Sequence, residues 1–428
     1  MAQPLIFHID VNSAFLSWEA SYRQKTHPEE VDLRTIPSVI GGNEETRHGI
    51  VLAKSISAKK YGICTGEPIA KARQKCPGLT VVSPHYSLYV ENSRRFMDLL
   101  KKYAPVVEQY SIDEAFCDMT GTSRLYKDPI AFAYQLKDEI QETLGFTVNI
   151  GISDKKMLAK MASDFEKPNK VHTLFSKEIP QKLWPLPIGE LFTVGKSTEA
   201  RLQLLGIHTI GDLAHTNLDF VKAHLKKHGE VIWNYANGND DSKVQCESSA
   251  NKSYGNSITI PYDVTDRHAA HIILLSLCET VSARIRADKA FIGVVSVSIV
   301  DSDFHQSSIQ ETLQDSTNVT ETIFDSACRL FDKLWHGAPI RLLNVSTSRP
   351  TSEHYTQIQL FGQEKLEKLQ KLNSAIDQIR DRYGEDSVKR ARFIKSTDSS
   401  SSNDSAHTTP DHMTGGINKS KRTAKKKL

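Results

Sequence analysis

The sequence has no apolar run approaching the ~18 residues that cross a membrane, and its short apolar N-terminus contains Asp10 and lacks a signal-peptide pattern. The six cysteines include no C-x-x-C pair, which argues against a zinc site and for reduced thiols. A formal net charge of +3 is too small to indicate a nucleic-acid partner by itself. These absences predict a cytoplasmic protein with no membrane association.

The composition is that of an ordinary globular protein, with 39% hydrophobic and 25% charged residues. A length of 428 residues predicts two to four domains. The C-terminal residues from 396 to 428 depart from this pattern, because they are rich in Ser, Thr and Asp and end in a lysine-rich run. Low hydrophobicity and like charge predict disorder there.

Two adjacent carboxylates, Asp113 and Glu114, interrupt an apolar stretch that otherwise predicts a buried strand, and Asp10 ends a second such strand. Paired acids in apolar segments are unfavourable unless a cation neutralises them. Three carboxylates on neighbouring strands suit two Mg²⁺ ions that clamp a triphosphate. We expect Asp10 and Asp113 to bridge both ions, Glu114 to hold the ion beside the attacking hydroxyl, and the carbonyl of Val11 to complete a coordination shell. The alternative is that the acids form salt bridges or simply lie at strand ends.

The order of elements predicts two folded regions. Up to residue 179, strands alternate with helices, which favours an α/β or α+β core. Residues 180–238 have a mostly helical pattern in which Gly195 and Gly206 bracket a helix predicted over Ser197–Leu205. This arrangement is typical of a helix-hairpin-helix that presents backbone N–H groups to a DNA phosphate, although glycines also simply cap helices. Beyond a polar linker, the pattern predicts a β-α-β-β-α-β domain and then a helix over 363–383.

The segment Asp10-Val-Asn-Ser-Ala-Phe15, followed by Tyr110-Ser-Ile-Asp-Glu114, resembles the Y-family of translesion DNA polymerases, of the bacterial DinB/UmuC type. The resemblance extends from Leu5 to about Phe361. It implies an α+β right hand with a palm, small fingers, a helical thumb that contains the helix-hairpin-helix, and a β-α-β-β-α-β little finger. The implied boundaries are 1–25 and 78–179 for the palm, 26–77 for the fingers, 180–238 for the thumb, 239–256 for a linker, 257–350 for the little finger, 351–395 for a clamp-binding peptide and helical extension, and 396–428 for a disordered basic tail.

The resemblance also implies roles for individual side chains. Phe15 stands where the family has a steric gate against the ribose 2′-hydroxyl, although a core position on the first helix is equally compatible with the sequence. Lys59 and Lys60 are expected to contact the triphosphate, with Ile56 and Lys59 standing where the family usually has Tyr and Arg; the alternative is a solvated basic face. Lys167, at a helix exit before a proline, is expected to reach the β- and γ-phosphates.

Two C-terminal features suggest partners. The peptide Gln357-Ile-Gln-Leu360-Phe361 matches the short motif with which bacterial polymerases dock on the sliding clamp. Its alternative is the amphipathic start of the following helix. The basic tail either holds DNA loosely by counterion release or is a solvated tail.

The function that these features imply is template-directed, low-fidelity translesion synthesis by two-metal nucleotidyl transfer, in the SOS response to DNA damage and with mutagenesis as its outcome. The expected partners are primer-template DNA, deoxynucleoside triphosphates and the sliding clamp, and the protein is expected to be a monomer. Two alternatives stay open: a non-catalytic DNA-binding scaffold of the same fold, and a nucleotidyl cyclase, for which a thumb and little finger would have no use.

Overall fold

A computed structural model of the protein describes residues 4–44, 47, 49–246, 250–352 and 363–393. The chain divides into two compact units: Met1–Gly41 with Val51–Ser248, and Gly42–Ile50 with Ser249–Leu428. The predicted clamp peptide (Gln357, Leu360, Phe361) and the basic tail lie outside the described residues. Within the described ranges, no helix combines the length and apolarity that a membrane span requires.

The first unit contains two sheets and a helical segment. Its strands are β1 (Ile6–Val11), β2 (Ser38–Gly41), β3 (Val51–Lys54), β4 (Thr80–Val82), β5 (Val106–Gln109), β6 (Glu114–Asp118), β7 (Val148–Ser153) and β8 (Val171–Thr173). Its helices are α1 (Ala14–Thr26), α2 (Ile56–Lys59), α3 (Ile69–Lys75), α4 (Tyr86–Leu100), α5 (Pro129–Leu144), α6 (Lys156–Asp164), α7 (Ile179–Lys182), α8 (Lys196–Leu204), α9 (Ile210–His215) and α10 (Leu218–Ala236).

The larger sheet has the strand order β5-β6-β1-β7-β8, and β1 is antiparallel to both neighbours. Strands β1 and β7 are buried along their whole length, as near-continuous apolar runs predict. Helices α1, α4 and α5 contribute to the core beside this sheet. The smaller sheet, β3-β2-β4, has its own core with α3. The acid-bearing strands predicted from the sequence are therefore adjacent in the larger sheet.

Gly151 lets helix α6 lie directly against strand β7. A Cβ atom at this position would overlap the carbonyl oxygen of Ala159 and the amide nitrogen of Ser163, both on the α6 backbone. The same helix buries Met157 and Leu158 in the core of the helical segment that follows. Since α6 is packed on both sides, the segment that leaves its C-terminus has a fixed starting point.

We expect Gly151→Ala to lower the free energy of unfolding by about 3 kcal/mol, because the methyl group has to push backbone rather than a flexible side chain. Urea unfolding followed by circular dichroism measures this. Gly78→Ala is the matched control, since a Cβ at Gly78 meets no atom within 4 Å. A loss at Gly151 as small as that at Gly78 would contradict the close packing.

The helical segment contains the predicted helix-hairpin-helix. Gly195 precedes α8, and the turn after α8 places Gly206 at φ +78°, a left-handed conformation that favours glycine. Thr209 then caps α9, because its hydroxyl accepts the amide of Asp212 at 3.0 Å. The helix predicted over Ser197–Leu205 is thus observed one residue earlier.

The second unit is a four-stranded antiparallel sheet, ordered β11-β10-β12-β9, with helices in its core. Its elements are β9 (Ser253–Val264), α11 (Arg267–Ala287), β10 (Phe291–Asp301), β11 (Gln306–Thr317), α12 (Thr320–Leu334), β12 (Ile340–Thr351) and α13 (Gln363–Tyr383). The β-α-β-β-α-β order and the final helix agree with the sequence prediction. Arg286 on α11 joins α13 to this unit by binding Asp377 at 2.6 Å.

The predicted linker, 239–256, ends too late. Strand β9 already begins at Ser253, and its first residues pair with β12 up to Ser348. The sequence is misleading here because the strand lies at a sheet edge: Ser253 and Gly255 are exposed, and Tyr254 between them is buried. Polar residues at an exposed edge look the same as a linker when only composition is considered.

Candidate active site

Asp10, Asp113 and Glu114 come together at one end of the larger sheet. Asp10 on β1 pairs across the sheet with Glu114 on β6 and with Asn149 on β7. The amide of Val11 donates to the carbonyl of Asp113 at 3.1 Å, which fixes the turn before β6. Because side chains of directly paired residues project from the same face, the two acids share a face. Asp10 is buried, and Asp113 and Glu114 are half-buried.

The hydroxyl of Ser111 organises the turn that carries the two adjacent acids. It donates to Oδ1 of Asp113 at 2.6 Å and accepts the amides of Asp113 at 3.2 Å and Glu114 at 3.0 Å. A serine two residues before an acid commonly forms such a turn. Ser111 is a site residue that was not predicted from the sequence, although the local pattern of a serine two residues before an acid is visible there.

Ser111→Ala is expected to lower kcat for nucleotide addition about tenfold, because Asp113 loses the hydroxyl that orients it. Single-turnover primer extension measures the effect. Ser176→Ala is the control, since the Ser176 hydroxyl binds Asp154 at 2.7 Å and no acid of the site. A wild-type rate for Ser111→Ala would rule out this orienting role.

Two lysines neutralise the acids. Lys160 on α6 is buried, and its Nζ lies 2.9 Å from Oε1 of Glu114. The same ammonium group stands over the rings of Tyr110 and Phe192, 5.3 Å and 5.4 Å from their centroids. Lys160 therefore contacts a site acid directly.

Lys167 lies between the end of α6 and the start of β8, as a helix exit before proline predicts. Its Nζ binds Oδ2 of Asp10 and, at 2.8 Å, Oδ1 of Asp164. With 38% of its side chain exposed, it is also accessible from solvent. A contact between Lys167 and a phosphate stays a prediction.

Burial and neighbouring charges shift the pKa values of Asp10 and Lys167. Burial raises the pKa of Asp10 to about 6; the cation of Lys167 opposes this shift, and the neighbouring charges of Glu114 and Asp113 add to it. Burial lowers the pKa of Lys167, but its ion pairs with Asp10 and Asp164 outweigh that effect and raise it to about 12. The site thus concentrates negative charge that needs cations beside it.

This donor set fits Mg²⁺, which prefers carboxylate and carbonyl oxygens. The carboxylate oxygens of Asp10, Asp113 and Glu114 do not all lie within 4.8 Å of one another; among the described residues only Asp301, Asp303 and His305, on an exposed turn, meet that spacing. Each acid is instead held by a contact of its own: Asp113 by Ser111, Glu114 by Lys160 and Asp10 by Lys167. Holding a shared ion therefore requires the carboxylates to rotate towards each other.

Phe15 lies on α1, half-buried against other aromatic rings. It stacks on Tyr89 with the centroids 4.7 Å apart and meets Tyr86 edge-on at 6.3 Å. Tyr89 in turn donates its hydroxyl to Glu19 at 3.3 Å. Phe15 is thus supported on one side by the core and partly exposed, a placement that suits both the steric-gate hypothesis and a packing role.

Lys59 and Lys60 lie at and just after the end of α2, on an exposed surface. Ile56, at the start of the same helix, is also exposed. By contrast, Lys54 donates its ammonium to the carbonyl of Ile63 at 2.6 Å and so supports the loop that follows α2. The structure places Lys59 and Lys60 on the smaller sheet's side of the unit, and their contact with a triphosphate stays a prediction.

Family models and a solved structure define the class of protein to which this chain belongs. The impB/mucB/samB family model matches residues 9–164, its C-terminal domain matches 251–360, and the IMS family HHH motif matches 176–207. A solved structure, a Y-family DNA polymerase chimera of Dbh and Dpo4, superposes with a TM-score of 0.68 at 24% identity, covering 81% of this chain and 98% of that one. The fold is that of a Y-family polymerase right hand, which confirms the α+β fold predicted from the sequence.

Curated relatives narrow the class. DNA polymerase IV of Clostridium acetobutylicum is 44% identical over 391 residues, covering 91% of this chain and 98% of its own length. DNA polymerase IV of Acetivibrio thermocellus is 37% identical (91% and 98%), and DNA polymerase IV 2 of Bacillus subtilis is 34% identical (92% and 95%). The chain belongs to the bacterial Y-family DNA polymerases of the DinB type, a family of DNA-directed DNA polymerases.

Proposed function

We propose that this protein performs template-directed, low-fidelity DNA synthesis across damaged template positions, using two Mg²⁺ ions. The observation that carries the proposal is the juxtaposition of Asp10 with Glu114 across β1 and β6, with Asp113 held next to them by Ser111. Membership of a polymerase family supports nucleotidyl transfer as the chemical task of this acidic cluster. The cysteines, all free, suit a reducing cytoplasm.

In this proposal, Asp10, Asp113, Glu114 and the carbonyl of Val11 hold the metal ions. When bound, the ions neutralise the triphosphate and favour ionisation of the primer 3′-hydroxyl. Lys160 keeps Glu114 oriented through its 2.9 Å ion pair. Lys167 donates hydrogen bonds to the phosphates and offsets charge on the departing pyrophosphate.

Selection of the nucleotide falls to residues around the incoming sugar and triphosphate. Phe15 excludes a ribose 2′-hydroxyl by occupying its volume. Lys59 and Lys60 hold the triphosphate as point charges, without the bidentate geometry that an arginine provides. Low fidelity follows from the sparse fingers, in which helices α2 and α3 have only four and seven residues. Few side chains are available there to test the geometry of a base pair.

Partners follow from the remaining motifs. We propose that the helix-hairpin-helix around α8 and α9 holds primer-template DNA through backbone N–H groups. Gln357, Leu360 and Phe361 would dock on the replication sliding clamp and so give a monomeric enzyme its processivity. With these partners, we propose that the protein acts in the SOS response and contributes to damage-induced mutagenesis.

The test is extension of a labelled primer on undamaged and abasic templates with Mg²⁺ and all four deoxynucleoside triphosphates. The proposal expects extension on both templates and frequent misincorporation on the undamaged one. Extension only of undamaged DNA would leave a polymerase without translesion activity. No extension on either template, with DNA binding intact, would favour a non-catalytic scaffold.

A further inference from the structure

Asn149 stands beside the acidic site and is completely buried. It pairs with Asp10 across β1 and β7, so its side chain shares the face on which Asp10 lies. Its amide nitrogen donates to the carbonyls of Ser163 at 3.0 Å and Glu166 at 2.6 Å. Its amide oxygen accepts the backbone amide of Lys170 at 3.3 Å. The side chain of Asn149 therefore forms hydrogen bonds with the backbone both before and after Lys167.

Asn12 adds further hydrogen bonds to Asn149 and to the same segment of the backbone. Its Nδ2 donates to Oδ1 of Asn149 at 3.0 Å, and its Oδ1 accepts the backbone amide of Asn169 at 2.9 Å. The hydroxyl of Thr147 also donates to Oδ1 of Asn12, at 3.0 Å. The two asparagines together hold four backbone groups of the segment 163–170, which we name the lysine loop.

The hydrogen-bond partners of the Asn149 amide determine its orientation. Both of its N–H donors reach carbonyl oxygens, and its oxygen faces only N–H donors. A flipped amide would place donors against donors and acceptors against acceptors. All four hydrogen-bonding positions of Asn149 are used, which is how a fully buried polar side chain fixes one geometry.

We propose that Asn149, with Asn12 as its partner, is a positioning residue that sets where Lys167 presents its ammonium group to the triphosphate. The inference rests on the proposed function of Lys167 and deepens it. Residues 165–170 of the lysine loop have no regular secondary structure between α6 and β8, so these side-chain contacts help to fix their path. Displacement of a charge-stabilising group by about 1 Å lowers a rate about a hundredfold.

The first test is a double-mutant cycle on kcat/KM for single-nucleotide addition. Asn149→Ala is expected to lower it about 10- to 100-fold, and Lys167→Ala about 100-fold. If Asn149 acts through Lys167, the double variant falls within about threefold of Lys167→Ala alone. Asn149→Asp, which has the same shape but cannot donate to the two carbonyls, is expected to match Asn149→Ala. Asn92→Ala is the control, since buried Asn92 has its one side-chain hydrogen bond among the described residues with Leu88 on its own helix.

The second test is hydrogen–deuterium exchange, which reports on the lysine loop without catalysis. The amides of residues 163–170 other than Pro168, which has no N–H, are expected to exchange at least about tenfold faster in Asn149→Ala than in Asn92→Ala, while β1 and α5 stay protected. The proposal would be overturned if the losses of kcat/KM in the two single variants multiplied in the double variant, or if either single variant kept the wild-type rate. Unchanged exchange in the lysine loop would also overturn it. A wild-type protein that extends no primer would instead contradict the proposed function, and the exchange result would still decide whether Asn149 fixes the loop.

Discussion

Asp113→Ala is expected to reduce primer extension at least about a thousandfold while primer-template affinity changes little. The reason is that Asp113 is one of three acids assigned to the metal ions, and a metal site that loses a carboxylate no longer stabilises the charge that builds up at the transferring phosphate. Single-turnover extension with saturating nucleotide measures the rate, and fluorescence anisotropy of a labelled duplex measures binding.

Asp118→Asn is the matched control for Asp113→Ala. Asp118 ends the same strand, β6, where its Oδ1 accepts the amide of Thr120 at 2.8 Å. It lies at the opposite end of β6 from Glu114 and binds the turn that follows. Its substitution is therefore expected to leave extension within about threefold of wild type, as for a change away from the site. If Asp113→Ala retained a tenth of the wild-type rate, the acid would have no metal-binding role.

Phe15→Ala is expected to lower the preference for deoxynucleotides over ribonucleotides about a hundredfold. Removal of the ring opens the volume that the 2′-hydroxyl would occupy, and hydroxyl rejection by an apolar contact is of that order. The measured quantity is the ratio of kcat/KM for dCTP to that for CTP opposite template dG.

Tyr22→Ala is the control for Phe15→Ala, because Tyr22 lies on the same helix, two turns further on, and meets the ring of His85 at 5.8 Å. Its discrimination ratio is expected to equal that of wild type. An unchanged ratio in Phe15→Ala, combined with loss of stability, would identify Phe15 as a packing residue supported by Tyr89.

The proximity of Asp10, Asp113 and Glu114 could be predicted from the sequence because its signal is local. Asp113 and Glu114 are adjacent in an apolar stretch of the sequence, and Asp10 lies near the end of another, so burial and charge conflict within a few residues. That these strands pair, with Asp10 opposite Glu114, is a consequence of sheet formation. The order of strands and helices in the second unit could also be predicted, because apolar residues repeat with a different period in strands than in helices.

The contacts that the sequence did not predict join distant residues. Lys160 follows Glu114 by 46 residues, and nothing in its surroundings distinguishes it from Lys156, which binds Glu108 at 2.7 Å. Asn149 is one of two polar residues in strand β7, and three of its partners are backbone groups that only the fold brings near. The roles of these side chains depend on where the fold places them. Composition and periodicity therefore do not predict those roles.

The most direct test of the account is a crystal structure of the protein with a dideoxy-terminated primer-template, a deoxynucleoside triphosphate and Mn²⁺, which is located by its anomalous scattering. The account predicts two ions at the carboxylates of Asp10, Asp113 and Glu114, with Lys167 moved from Asp10 to the triphosphate. Ions bound by the triphosphate alone, with Lys160 and Lys167 still paired to Glu114 and Asp10, would contradict it.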